Sequence, residues 1–274
     1  MDKVTNIALS IQRKADTSIS SNLSFFELKA GVAEKQKAFS ELILTNLFYT
    51  HRKSLYRIGL MPLAKRATEY INKPMVQVFP VYLDSYLLLQ IFLGLPVEVE
   101  ASERVAERLE LPYMRLQHKM IRNFARNDFD ALVRDEAYIT SALGRRQSLV
   151  VSDYADMYSI THTVFYSTYL NRYSLSELLQ GENEDEILRL LFNIMVFAYK
   201  DQHFDLLGEV LICIYNLRKL TNDERDLVAS ILAHIETDFL DGIERNLKSE
   251  KITFAEVYHP LLIMSLVGRL YGYE

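Results

Sequence analysis

Between residues 153 and 173 a tyrosine or histidine recurs at every fourth position: Tyr154, Tyr158, His162 and Tyr166. On a helix this spacing stacks the four side chains in one ladder, and Tyr169 and Tyr173 continue its drift. Each brings an apolar ring and a polar tip. That suits a pocket wall for a planar or polar ligand, or equally a core face whose polar tips find partners. His162, within Thr161-His162-Thr163, is the natural proton carrier of the group, since imidazole titrates near neutrality; the bland reading is a buried histidine held by one hydrogen bond. Asp205 and Glu209, beside His203, lie one helical turn apart at the start of a strongly apolar run. Two carboxylates so placed could bind a cation or share a proton, and acids at a helix start also stabilise its dipole. Tyr258-His259-Pro260 precedes an apolar helix, where His259 faces a cavity or bonds its neighbours. The candidate catalytic set is therefore His162, His259, Glu209 and Asp205, with Tyr154, Tyr158, Tyr166 and Tyr258 as substrate-binding candidates.

Other features read as surface or core. His234 and Asp238, beside Glu236, form a further pair one turn apart on an amphipathic helix, which reads as solvated surface. Arg115, Lys119, Arg122 and Arg126 make a basic stripe that would contact an acidic peptide, a carrier protein or a phosphate, or simply face solvent. Cys213 sits in the apolar run 210–215 and reads as inert packing. No cofactor is expected, and a metal could bind only where residues far apart in sequence converge: the sequence lacks H-E-x-x-H, a cysteine pair, an EF-hand loop, the Gly-rich nucleotide-binding patterns, the Gly-x-Ser-x-Gly elbow and the Asp-Asp-x-x-Asp of helical prenyl-transferring enzymes.

The elements that must position these residues are helices. Nine glycines and six prolines in 274 residues are too few for the frequent turns of an all-β sandwich or barrel. With 49% hydrophobic and 24% charged residues the chain is not disordered. Helical apolar spacing runs through 23–49, 61–71, 81–93, 113–126, 128–143, 152–169, 187–199, 226–247 and 254–271, with a short amphipathic segment between Pro96 and Pro112 and a turn at Gly144-Arg145-Arg146. The stretch 81–93 is apolar nearly all round and should be a central helix. Ser174 with Glu177, and Thr221 with Glu224, have capping-box spacing, and 182–186 is an acidic turn. The runs 76–80 and 149–151 are too short to assign. The expected fold is all-α: one domain, 1–274, of about ten to twelve helices packed as antiparallel hairpins, forming an α/α toroid or a superhelical array around a groove. No repeat of fixed period recurs.

A net charge of −5 gives no general reason to bind nucleic acid or anionic lipid. No secretory signal and no membrane-length apolar stretch is visible, and a single cysteine excludes an internal disulfide, so a cytoplasmic protein is expected.

Three stretches together, Thr161-His162-Thr163-Val164-Phe165-Tyr166, then Phe204-Asp205-Leu206-Leu207-Gly208-Glu209-Val210-Leu211, then Tyr258-His259-Pro260-Leu261-Leu262, resemble an uncharacterised family of bacterial all-helical proteins often encoded beside genes for specialised metabolites, including modified peptides. The resemblance covers mainly residues 150–270. It implies a toroid-like helical fold, singles out His162, Tyr166, Asp205, Glu209 and His259, and supplies no established reaction. The family pattern follows the Phe-Tyr with an acidic residue and a glycine a few positions on; here that stretch is Ser167-Thr168-Tyr169-Leu170-Asn171.

Two functions fit. One is an accessory or tailoring protein of a bacterial specialised-metabolite pathway, an acid/base enzyme or cyclase acting on a small molecule or peptide with His162 paired to His259 or Glu209. The other is a non-catalytic helical binding or scaffold protein that holds a peptide, a carrier domain or a partner biosynthetic enzyme. A ligand-sensing regulator ranks below both, because no DNA-binding helix-turn-helix is evident. The residues alone do not decide whether the protein is an enzyme. Tyrosine-rich faces also suit a homodimer interface.

Overall fold

A computed structural model describes residues 3–28, 33–47, 57–78, 82–96, 111–129, 131–145, 153–180 and 183–272. α-Helix dominates them, and no strand occurs among the described residues. In chain order the helices are α1 (Lys3–Ser21), α2 (Ala33–Leu47), α3 (Arg57–Ala67), α4 (Lys73–Val78), α5 (Leu83–Leu93), α6 (Pro112–Arg126), α7 (Glu136–Ile139), α8 (Tyr154–Ser167), α9 (Leu175–Leu179), α10 (Glu184–Lys200), α11 (Phe204–Leu217), α12 (Asn222–His234), α13 (Asp241–Lys248) and α14 (Phe254–Gly272). Of the sequence-level features, residues 29–32, 48–49, 79–81, 97–110, 130, 146, 149–152 and 182 lie outside the described residues. The chain divides into two compact units, Phe26–Tyr173 and the pair Met1–Phe25 with Ser174–Glu274.

In the unit Phe26–Tyr173, α5 is the helix on which α2, α3 and α6 pack. Its Leu83, Leu87, Leu88 and Leu89 are buried, as are Phe39, Leu42 and Ile43 of α2 and Leu60 and Leu63 of α3. Pro112 opens α6, where its missing N–H costs nothing, and Asn127 closes it in the left-handed region at φ 52°. The helix expected over 23–49 is a 3₁₀ turn, Leu23–Phe26, followed by α2. The one expected over 128–143 is a 3₁₀ turn, Leu132–Arg134, followed by the single-turn α7. Asp135 causes that break: its carboxylate accepts the Ala137 N–H at 2.8 Å, a local bond that competes with a continuous helix.

The helix α8 ends at Ser167, two residues earlier than the apolar spacing indicates, because Tyr169, Leu170 and Asn171 all take positive φ, from 52° to 65°. Side chains as large as these are uncommon there. Burial and hydrogen bonds hold the first two: Leu170 N–H donates to the Phe165 carbonyl at 2.8 Å, and Asn123 donates to the Tyr169 hydroxyl at 2.6 Å. The Tyr169 ring also meets Phe124 and Phe129 edge-on at 5.8 and 5.3 Å.

In the other unit, α11 is buried almost all round, from Leu206 to Leu217, between α10 and α14. The helix α1 has no counterpart in the sequence reading, yet it packs along α14 through Ala8, Ile11, Ala15 and Ile19. Gly268 permits the crossing: a Cβ there would stand 2.5 Å from the Gln12 nitrogen and 2.6 Å from the Ala8 carbonyl oxygen. A buried polar network fixes the register. Asp16 accepts from Arg269 at 2.9 Å, from Gln12 at 3.2 Å and from the Ser265 hydroxyl. The expected helix over 226–247 is α12 and α13 joined by a π-helical segment, Ile235–Leu240. Within that wider turn Ile235 and Leu240 stay buried while Glu236 meets Lys14 of α1 at 3.2 Å.

Candidate functional site

The tyrosine–histidine ladder forms as its spacing requires. Asp153 and Asp156 cap α8 reciprocally, each side chain accepting the other's backbone N–H, at 2.9 and 3.3 Å. Ring centroids of Tyr158 and Tyr166 lie 6.0 and 5.7 Å from His162. Tyr154, Tyr158 and His162 are half-buried, and Tyr166 is buried. Two further rings complete the surround: Phe165 at 6.0 Å and Tyr113, from α6, at 5.4 Å. Burial pushes the Tyr113 phenol above its ordinary pKa, so it stays a neutral donor through the physiological range. The hydroxyls of Thr161, Thr163 and Ser167 turn back onto the carbonyls of Tyr158, Ser159 and Thr163 at 2.6–3.0 Å. They are therefore not nucleophiles aimed at the imidazole. His162 thus sits among aromatic rings, an arrangement suited to binding a flat or weakly polar group.

The other candidates belong to the second unit. Glu209 projects from α11, a helix that is otherwise almost wholly apolar, and is only 1% exposed. Its Oε1 lies 3.6 Å from Nε2 of His259 on α14, whose side chain is 29% exposed. Gly208, the preceding residue, leaves room for the Ile263 and Met264 side chains and so for the approach of α14. His259-Pro260 lies within α14, inside the helix that the apolar spacing over 254–271 indicates, and Pro260 withholds an N–H from the carbonyl one turn back. The Tyr258 ring stands edge-on to that of His259, 6.4 Å away. The same tyrosine ring lies 5.2 Å from Phe25, which also meets Phe254 edge-on at 5.2 Å.

Asp205 does not join this pair. Its Oδ1 lies 2.7 Å from His203 Nδ1 and accepts the Leu206 N–H at 2.9 Å, so it serves the first turn of α11. His234 and Asp238, read from the sequence as solvated, are 2.7 Å apart; Asp238 is exposed, but the imidazole is largely buried against Tyr199 and Phe204 at 4.6 and 5.8 Å. In the basic stripe Lys119 is tied to Asp135. Cys213, wholly buried, has its thiol pushed well up by burial and by the nearby Glu209 charge, as inert packing requires.

The structure thus brings together Glu209 with His259, and Tyr158 and Tyr166 with His162. Glu209 and His259 form an acid/base pair: a carboxylate taken out of water beside an imidazole with one edge in it. A small shift or one bridging water would pass a proton between them. Among the described residues, no group of three or more His, Cys, Asp or Glu side chains is placed to hold a metal ion. No helix among them is long and apolar enough to cross a membrane. Two residues absent from the sequence reading belong in the description. Tyr113 supplies a ring against His162. His118, fully buried, is held through Nδ1 by Asp84 at 2.8 Å. No motif spacing links residues 34 positions apart, and only the packing of α6 on α5 reveals that pair.

The family model for a domain of unknown function, DUF6895, matches residues 96–268, which contain every candidate named above. No curated protein and no solved structure matches the chain. With more than half of its length matched, the chain belongs to the DUF6895 family.

Proposed function

We propose that the protein is an accessory or tailoring protein of a bacterial specialised-metabolite pathway, cytoplasmic, and that Glu209 and His259 carry out acid/base chemistry on a small-molecule or peptide substrate. The observation that carries this reading is the burial of Glu209. A carboxylate almost wholly out of water on an apolar helix is costly, and a half-exposed imidazole 3.6 Å away is the arrangement proton transfer uses. His259 exchanges protons with substrate and solvent, and Glu209 orients it and stabilises its protonated form.

The test is deletion of the gene in its bacterium, followed by mass spectrometry of extracts and complementation. Deletion removes a product and accumulates its precursor; the wild-type gene restores the product and Glu209→Gln does not. Purified Glu209→Gln keeps the wild-type melting temperature or exceeds it, because the isosteric amide removes a buried charge that serves the reaction and not the fold. An unchanged extract after deletion overturns the pathway role, and full rescue by Glu209→Gln overturns the chemistry.

The binding reading rests on a separate observation, the four aromatic rings within 6.0 Å of His162. It gives the opposite pattern: Glu209→Gln restores the product, whereas Tyr158→Ala fails although it folds.

A further inference from the structure

The helix α10 packs on α11 through Ile187, Leu188, Leu191, Ile194, Met195 and Ala198, all buried. Its opposite face is exposed and carries large apolar groups, with Val196 at 55% and Phe197 at 42% exposure. At 100° per residue, the side chains of residues 186, 189, 190, 193, 196, 197 and 200 fall within one arc of about 120°, along roughly 21 Å of helix. Their order is symmetric about Asn193. Seven positions before it stands Glu186 and seven after it Lys200; four before stands Arg189 and four after Phe197; three before stands Leu190 and three after Val196.

A half-turn about an axis through Asn193 therefore lays this face on its own complement. Glu186 meets Lys200 of the second copy, Arg189 comes level with the Phe197 ring and beside Val196, Leu190 packs on that same Phe197 from its own flank, and the two Asn193 amides face each other. Each of these contacts except the last occurs twice. We propose that α10 is a self-association surface, and that its occupant is α10 of a second copy of this chain, antiparallel and centred on Asn193. The exposed valine and phenylalanine supply the apolar centre. The opposite charges at the two ends specify the antiparallel direction, since a parallel pairing would set Glu186 on Glu186 and Lys200 on Lys200. A single-helix face lies at the small end of specific interfaces, so the dimer is a reversible one. The proposal uses neither Glu209 nor His259 and stands or falls apart from their chemistry.

Sedimentation velocity on the full chain over a concentration series tests it. The wild type passes from monomer to dimer as concentration rises. Lys200→Glu alone and Glu186→Lys alone each weaken association about tenfold, because each turns two attractive pairs into two repulsive ones. The double variant Glu186→Lys with Lys200→Glu restores it, since every pair is again of opposite sign. Asn193→Cys gives a disulfide-linked dimer on mild oxidation. Cys213 does not interfere, because it is buried. Circular dichroism verifies that these surface variants keep their helix. A chain that stays monomeric, a dimer indifferent to both single reversals, a double variant as weak as the singles, or Asn193→Cys chains that fail to cross-link would each overturn the proposal.

Discussion

Replacing Gly268 with alanine puts a methyl group into the α1–α14 crossing, and the structure allows its cost to be worked out. The new Cβ would lie 2.5 Å from the Gln12 nitrogen, 2.6 Å from the Ala8 carbonyl oxygen and 2.8 Å from the Gln12 Cα. All three atoms are backbone, so no rotamer change relieves the overlap and α1 as a whole must retreat, by roughly 1 Å, to recover ordinary contact. Such a gap forfeits a quarter to a half of the dispersion energy along the interface, and overpacking of this kind costs about 3 kcal/mol at the upper end of its range. Alanine's better helix propensity returns about 1 kcal/mol. The expected net loss is about 2 kcal/mol, or a fall in Tm of roughly 3–4 °C for a chain of 274 residues. Gly242 in α13 is the control: a Cβ there meets nothing within 4 Å. Gly242→Ala should keep the propensity gain whole and raise stability by about 0.5–1 kcal/mol. Thermal and urea unfolding followed by far-ultraviolet circular dichroism measure both. A Gly268→Ala protein as stable as the wild type, or two variants shifted equally, would refute the close crossing.

Two other predictions concern charge. Asp16→Ala strips the buried Arg269 guanidinium of its carboxylate and should cost about 3–5 kcal/mol in urea unfolding; a loss below about 1 kcal/mol would mean that water solvates the pair. Burial pushes the Glu224 carboxyl up, but hydrogen bonds from Arg218 and from Thr221 at the start of α12 outweigh it and hold it below the ordinary value of 4.5. A carboxyl whose pKa is depressed on folding stabilises the protein above its unfolded pKa and loses that contribution as pH falls through the folded one. Stability should therefore decline from about pH 4.5 downward, and less steeply in Arg218→Ala; identical acid limbs for the two proteins would count against the pairing.

Elements whose boundaries are set by neighbouring residues could be read from the sequence. The capping boxes at Ser174 with Glu177 and at Thr221 with Glu224 are both reciprocated, and α5, within the apolar 81–93 stretch, is the helix on which α2, α3 and α6 pack. What escaped depends on contacts distant in sequence. The apolar face of α1 is built from Val4, Ala8, Ile11, Ala15 and Ile19, and its close seat on α14 depends on Gly268, which leaves room for the backbone of Ala8 and Gln12 from some 260 positions away. The π-helical segment was equally hidden. Its residues read as ordinary helix, and the wider turn shows its use only where Lys14 of α1 meets Glu236 and Asp241.

The candidate site divides along the same line. Four-residue spacing sufficed to put Tyr154, Tyr158, His162 and Tyr166 on one face, because helical geometry alone decides that. It also put Asp205 and Glu209 on one face, and there the inference stopped short: side chains that share a face need not share a partner. Asp205 sits in the first turn of α11, where His203 and the Leu206 N–H are at hand, and it is spent on them. Glu209, one turn further in, lies where α14 closes over α11, and its imidazole comes from 50 positions away. A carboxylate in the first turn of a helix explains itself by the dipole and the free N–H groups. One in the middle of a buried apolar helix does not, and leaving a valine or leucine there would have cost the fold less. That difference, and not the richer motif around His162, is why the search for chemistry in this protein should begin at Glu209.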